Sequence, residues 1–304
     1  MISILITAWK ESNTIGKAIE SLVLKEYSGI ENDFEILLAA PDIETKEAAS
    51  QKVKELSLED KFIYIQDPCK GKPIALNILF KKAKGDILIL TDGDVYFDSL
   101  AVKYLVNFLN SSESLGGVSG RPVALNPKDK SVFDYWAHLQ ADAVHQMRLD
   151  SKNTFFPMSG YIMAIRNLKY NLPENLFLDD AYISYFIFKQ GYKIGYEPRA
   201  KAFVKYPTNW KDFEKQKLRS LLGFEQLKLY SQVYSKNLKS RSFLQEFRYF
   251  YFPIRYSNSL VQIIWSIIFY PTRLYLWIKS KINKSMIKTA RSIRDIYLRT
   301  ESTK

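Results

Sequence analysis

The stretch GDILILTDGDVYF, residues 85–97, sets a continuous apolar run directly before two aspartates that are separated by one glycine. Ile, Leu, Ile and Leu in succession, without polar alternation, is the pattern of a strand buried on both faces, as in a parallel sheet covered by helices. The same pattern recurs upstream. ISILIT (2–7), FEILLAA (34–40) and KFIYIQD (61–67) are short apolar runs. Between them lie segments of helical spacing: 11–26, where Ile15, Ile19, Leu22 and Val23 share one face, then TKEAASQKVKELS (45–57) and KPIALNILFKKA (72–83). Four strands alternating with helices predict βαβ units with right-handed crossovers, hence an α/β fold around a mostly parallel sheet.

In such a sheet ligands bind beyond the carboxyl ends of the strands, where TDGD lies. Asp92 and Asp94 flank Gly93, which lets the backbone turn sharply while both carboxylates reach one ligand. Hard oxygens so placed suit Mg²⁺ or Mn²⁺, ions commonly held by one or two carboxylates plus phosphate oxygens. The alternative is an ordinary solvated turn, where Asp and Gly are equally at home.

Composition narrows the class. With 304 residues, 47% of them hydrophobic, the chain can bury a sizeable core, which excludes disorder of the whole. Its single cysteine, Cys69, excludes an internal disulfide and fits a reducing compartment. MISILITAW lacks a basic leader and a long apolar core, so it is expected to be a first strand rather than a signal peptide. Charge is unevenly placed. Residues 235–304 carry fourteen Lys/Arg and three Asp/Glu, a net +11, leaving only +1 of the chain's +12 to residues 1–234. Such a tail suits an anionic membrane surface or nucleic acid.

The order of motifs resembles the inverting family 2 glycosyltransferases with a GT-A fold, the branch containing cellulose and hyaluronan synthases, over roughly residues 2–230. ISILITAWKESNTIGKAIESL is similar to the family's opening strand, loop and helix, which puts Ala8, Trp9, Lys10 and Glu11 at the nucleotide. GKPIALNILFKKAKGDILILTDGD resembles the helix that runs into the D-x-D strand, placing Lys72, Asn77, Asp92 and Asp94. LDDAYISYFIFKQGYKIGYEP resembles the acidic dyad, with Asp180 as catalytic base and Asp179 on the acceptor side. QKLRSLLG is similar to Q-x-x-R-W, giving Gln216 and Arg219 at the donor. Gly160, in FPMSGYIMAIR, stands where the family builds its acceptor wall; the segment itself reads as a strand with a tight turn. Two departures are visible. The second strand ends LLAAPD, so the base contact falls to Asp42 from a shifted position or to nothing, and Ser220 replaces the motif tryptophan.

Each residue also has a bland reading. Inverting transfer needs a carboxylate to take the acceptor proton, and a neighbouring aspartate and apolar surroundings would raise the pKa of Asp180. Asp179 and Asp180 would equally cap the helix that starts there. Gln216 and Arg219 share a face of a helix from about residue 210 to 230, where the arginine either grips a phosphate or is solvated. Lys72 is either a phosphate contact or a surface lysine. His138 and His145, on a helix over 132–149, have no Cys or third His beside them, and no zinc site is expected.

The tail holds an uncharged run, 256–272, bounded by Arg255 and Arg273 and flanked by Pro253 and Pro271. As a helix it is about 25 Å long, short of the roughly 30 Å hydrocarbon core, which suits an interfacial element better than a clean span. Ile282, Met286, Ala290, Ile293 and Tyr297 then line one face of a basic amphipathic helix suited to anionic headgroups; the alternative is a helix docked on the body. The expectation is a GT-A domain, 1–234, with a membrane-association tail, 235–304, at the cytoplasmic face of the cell membrane, peripheral or monotopic. It uses a nucleoside-diphosphate sugar and a lipid-linked, polyprenyl-phosphate or growing glycan acceptor, in polysaccharide biosynthesis. The competing readings are a sugar-nucleotide nucleotidyltransferase, whose glycine-rich signature is missing near the first strand, and nucleic-acid binding through the tail.

Overall fold

The computed structural model describes residues 1–23, 33–151, 155–230 and 249–283. Its centre is an eight-stranded sheet of order β3-β2-β1-β4-β7-β6-β8-β5. The strands are β1 (Ile2–Thr7), β2 (Phe34–Ala40), β3 (Phe62–Gln66), β4 (Ile87–Asp92), β5 (Tyr96–Phe97), β6 (Leu115–Ala124), β7 (Met163–Arg166) and β8 (Lys193–Val204). β3, β2, β1 and β4 pair in parallel, as do β6 and β8, while β7 runs antiparallel to β4 and β6, and β5 antiparallel to β8. The sheet is therefore mixed and mostly parallel.

The unalternated apolar runs have a direct structural cause. Ile4 and Ile6 of β1 face a core completed by α1 (Ile15–Val23), α2 (Ile43–Glu55) and α4 (Ala101–Asn110), whereas Leu5 faces the opposite core. That second core is completed by α3 (Lys72–Lys82) and α6 (Asp179–Lys189). Both faces are covered, so both sets of alternate positions are mostly apolar, and of the buried exceptions Ser3 and Glu35 pair with each other at 2.6 Å.

A third apolar cluster joins α5 (Val132–Asp150), α7 (Trp210–Leu227) and a C-terminal helix, Leu260–Ile282, around Tyr135, Trp136, Phe213 and Leu276. This helix corrects the expected extent of the uncharged run, 256–272, because it begins at Leu260 and continues to Ile282. It spans 23 residues, about 34 Å at 1.5 Å per residue, with Pro271 inside it. Proline removes one helical hydrogen bond and crowds the preceding turn, but packing holds the turns on either side. Trp136 Nε1 donates to the Trp265 carbonyl at 2.9 Å, Leu276 is fully buried, and Lys279 pairs with Glu214 at 2.9 Å. The short helix Phe252–Tyr256 precedes it, and Tyr256 Oη donates to Asp142 at 2.8 Å. The amphipathic stretch beyond Asn283 lies outside the described residues.

The segment before β7 is a second correction. Only Met163–Arg166 is strand, because the backbone N–H groups of Met158, Ser159 and Gly160 go to side chains instead of a ladder. Their acceptors are Ser184 Oγ (2.9 Å), Ser119 Oγ (3.0 Å) and Asp180 Oδ2 (2.9 Å).

Candidate active site

The register of the central strands assembles the first half of the site. Thr7 and Asp92 are partners at the ends of β1 and β4, and Thr7 Oγ1 donates to Asp92 Oδ1 at 2.8 Å. Beyond Asp92 the chain turns at Gly93, where a Cβ would stand 2.5 Å from Glu11 Oε2 and 2.8 Å from the Ala8 side chain. The Ala8 methyl is the firmer constraint, because the Glu11 side chain could swing aside and Ala8 could not.

The loop carrying Ala8, Trp9, Lys10 and Glu11 is shaped by the neighbouring strand–helix turn. Ala8 N donates to the Ala39 carbonyl, and Lys10, at φ +54°, donates its N–H to Asp42 Oδ2 at 2.8 Å. Glu11 N donates to Thr45 Oγ1 at 2.8 Å. Asp42 Oδ1 accepts from Thr45 N and Oγ1, so Asp42 caps α2 and braces the loop together. Burial works to raise its pKa, but the N–H of Lys10 and the Thr45 donors outweigh it and hold the carboxyl below its ordinary range. Trp9 stays 44% exposed on the loop surface.

The second half comes from α3 and α6. Lys72 is the first residue of α3, and its ammonium bridges Asp92 Oδ1 (2.6 Å) and Asp179 Oδ2 (3.3 Å). Burial opposes that charge, yet the Asp179 and Asp92 carboxylates outweigh it and raise the Lys72 pKa. Asp180 Oδ1 accepts from Ala181 N at 2.7 Å in the first turn of α6, and Oδ2 from Gly160 N at 2.9 Å. Leu178 is the N-cap of α6 and no side chain caps it, so both aspartates lie inside the first turn and neither caps the helix as the sequence alternative had it. Burial first, then the charge of Asp179, pushes Asp180 up to about 6, against the N–H groups and Lys72.

Lys72, Asp92, Gly160, Asp179, Asp180, Gln216 and Arg219 line one cavity of about 650 Å³, with Ser220 beside them. Gln216 Nε2 makes a long contact, 3.5 Å, to Tyr161 Oη. Asp94 lies off the cavity lining, but its charge reaches Tyr96 and Tyr161. Asn77 does not reach the site. Its amide pairs with both backbone groups of Leu172, at 2.7 and 2.8 Å.

Sequence reasoning missed Tyr161 and Thr7. Tyr161 sits among the charges, its phenol pushed up to about 12 by burial, with Arg219 opposing and Asp94, Asp92 and Asp180 adding. The available signal was its place directly after Gly160. Of the histidines, His138 Nε2 lies 2.7 Å from the Asn126 carbonyl and His145 Nδ1 2.7 Å from Tyr196 Oη.

Residues 1–223 match the family model "Glycosyltransferase like family 2". The chain belongs to that family. A Bacillus subtilis relative, "Probable glycosyltransferase YdaM", is 25% identical over 268 residues, covering 83% of this chain and 61% of the relative. The poly-beta-1,6-N-acetyl-D-glucosamine synthase of Staphylococcus aureus is 24% identical over 232 residues, covering 73% and 54%. The chain thus spans little more than half the length of these curated relatives. Among solved structures, a mannosyltransferase from Pyrobaculum calidifontis in complex with GDP-Man and Mn²⁺ superposes with a TM-score of 0.59 at 15% identity, covering 94% of this chain and 84% of that one. That likeness is one of fold, and the family 2 domain has the GT-A architecture.

Proposed function

We propose that this chain transfers a glycosyl group, with inversion, from a nucleoside-diphosphate sugar to an acceptor hydroxyl, with Asp180 as the base. The observation that carries the reading is Asp180 itself: partly buried, held by two N–H groups and pushed up to about 6, beside Asp179, which the Lys72 ammonium links to the strand-end Asp92. The acceptor oxygen attacks the anomeric carbon and its proton passes to Asp180. The bond to the leaving diphosphate breaks with its electron pair on the diphosphate oxygen.

The remaining side chains would position the donor. Ala8, Trp9 and Glu11 offer a loop for the nucleotide, and Asp42 holds that loop in place. Lys72, Asp92, Gln216 and Arg219 face the diphosphate and sugar, while Gly160 and Asp179 border the acceptor. A divalent cation fits the strand end, where Asp92 and Asp94 offer hard oxygens on either side of Gly93. Among the described residues no three His, Cys, Asp or Glu form a metal cluster, so phosphate oxygens would complete the shell of Mg²⁺ or Mn²⁺. Such an ion supplies charge neutralisation at the departing diphosphate. The Pyrobaculum mannosyltransferase holds GDP-Man and Mn²⁺, and the staphylococcal relative is a glycan synthase; both support this reading.

The C-terminal helix supports attachment to a membrane surface. One face docks on α5 and α7, while Leu260, Ile264, Ile267, Ile268, Ile278 and Ile282 remain exposed on it. A helix docked on one side and apolar on the other lies in an interface rather than across it. The basic residues of 235–304 add attraction to anionic lipid.

The test is incubation of full-length protein with labelled sugar nucleotides, Mn²⁺ and a membrane lipid extract. Transfer or hydrolysis of one donor is expected. A panel in which no sugar nucleotide binds or turns over would falsify the reading.

A further inference from the structure

The base contact that the sequence leaves to Asp42 or to nothing needs a carboxylate oxygen that is not already in use. Asp42 has little to spare. Its Oδ2 accepts from Lys10 N, and its Oδ1 from both Thr45 N and Thr45 Oγ1. The polar side chains at the end of β3 are engaged as well. Tyr64 Oη donates to the Ala40 carbonyl at 2.8 Å and lies 2.7 Å from Gln66 Oε1, while Gln66 Nε2 donates to the Pro41 carbonyl at 3.0 Å.

Asp67, one residue beyond β3, differs from all three. Its N–H extends the ladder to the Ala40 carbonyl at 3.2 Å, and its Oδ1 accepts from Cys69 N at 3.1 Å. Among the described residues its Oδ2 accepts no hydrogen bond. Burial holds the carboxyl above its ordinary range against the Cys69 N–H. A hydrogen bond accepted where water is partly excluded discriminates more sharply than one in bulk solvent.

Strand register puts Asp67 in line with the rest of the site. Ile65, Ala39, Thr7 and Asp92 form one row across β3, β2, β1 and β4, and alternation carries Asp67 onto the face of Ile63 and Ile65, which pack toward α3. Three strand spacings, about 14 Å at roughly 4.8 Å each, separate β3 from β4. That is the reach of an extended nucleoside diphosphate, with its base at one end and its phosphates at the other. The side chains between, Ala39 and Thr7, are small enough to leave a shelf for the ribose.

We propose that Asp67, not Asp42, is the specificity-determining residue for the nucleotide base, its Oδ2 accepting the imino N–H of uracil or guanine. Adenine and cytosine present a bare ring nitrogen at that place, so lone pair would face lone pair. The presence of a nucleotide rests on the transfer reading, and the choice of base on the strand-end geometry alone.

The experiment is calorimetry on full-length protein in amphipol with Mn²⁺ and four probes: UDP, GDP, CDP and ADP. UDP or GDP should bind roughly tenfold or more tighter than CDP and ADP, the scale of one hydrogen bond to a charged group. Asp67→Ala should erase that preference and leave CDP no weaker. In Asp67→Asn the Cys69 N–H retains the amide oxygen, which brings the NH₂ to where Oδ2 stood, so the preference should shift toward CDP or ADP. Asp42→Ala should weaken all four alike, because it loosens the loop without touching the base.

A base preference that survives Asp67→Ala overturns the proposal, as does one lost in Asp42→Ala. Equal weakening of all four probes in Asp67→Ala, with no shift in Asp67→Asn, would make Asp67 structural and overturn it too. Tight binding of all four without preference defeats the base assignment and leaves glycosyl transfer standing, whereas binding of none in unmodified protein defeats both.

Discussion

The strand-end site and the C-terminal helix are held in opposite ways. At the sheet, Lys72 bridges two carboxylates while a third, the partly buried Asp180, lies beside them, so electrostatic attraction is set against desolvation. At the helix, Leu276, Trp136, Phe213 and Leu221 exclude water with few charges involved. The first arrangement sets charge against desolvation and contributes little net stability. The second is stable and carries no chemistry of its own. The contrast separates what each region should lose on mutation.

Asp180→Asn should produce the largest effect. Turnover should fall by about 10² or more with donor affinity kept, the scale of general-base catalysis. Equal loss of both in steady-state and binding measurements would make Asp180 structural. The unmodified enzyme should gain activity as pH rises through about 6, where the carboxyl loses its proton. Stability runs the other way. A carboxyl whose folded pKa is raised stabilises the fold below about 4, and that contribution is lost as pH rises through about 6. Asp180→Asn should therefore melt higher than the parent at pH 7.5 and show no such gain at pH 4, a trade of stability for function readable by calorimetry.

Leu276→Ala tests the other pole. Truncating a fully buried leucine in the third cluster should destabilise by about 2–4 kcal/mol in urea titrations. A change below about 1 kcal/mol would mean that the helix contributes little to the body, and the proposed division at residue 234 would then describe independent parts.

Lys72→Met should have a smaller effect. Breaking a fully buried pair costs about 3–5 kcal/mol, but this side chain keeps 32% of its exposure, so solvent screening reduces the expected loss to about 1–2 kcal/mol at neutral pH. With the ammonium gone, three carboxylates face one another and the midpoint of the pH–activity curve should move above about 6. A midpoint that stays in place would detach Lys72 from Asp180.

The least change in stability is expected on the outer face. Ile264→Ser with Ile267→Ser, both more than half exposed, should alter stability by no more than about 0.5 kcal/mol. Sedimentation with anionic liposomes should nevertheless show weakened attachment. Full attachment in this variant would assign membrane contact to other residues, and an unmodified chain that never sediments with lipid would end the membrane reading.

Much of this was legible in the sequence because it is local. Apolar runs of five to seven residues specify strands covered on both faces, and β1, β2 and β4 fall where ISILIT, FEILLAA and DILILTD place them. Strand-end position then singles out Asp92 and Asp94, since parallel strands carry their ligands at one edge. The α6 dyad was visible as two acids opening an apolar helix.

What the tertiary structure decided are relations between segments far apart in the chain. Strand register sets Thr7 against Asp92, and Lys72 falls between Asp92 and Asp179 only because α3 and α6 cover the same face of the sheet. Gly160 sends its N–H to Asp180 instead of to a ladder, which no alternation of residues could reveal. Pro271 looks like a helix stop because the local penalty is all that its neighbours display. The docking of Trp265 and Leu276 against α5 and α7 overrides that penalty through contacts more than fifty residues away. Local pattern measures how a segment treats water, whereas the site depends on which segments meet after water has been excluded.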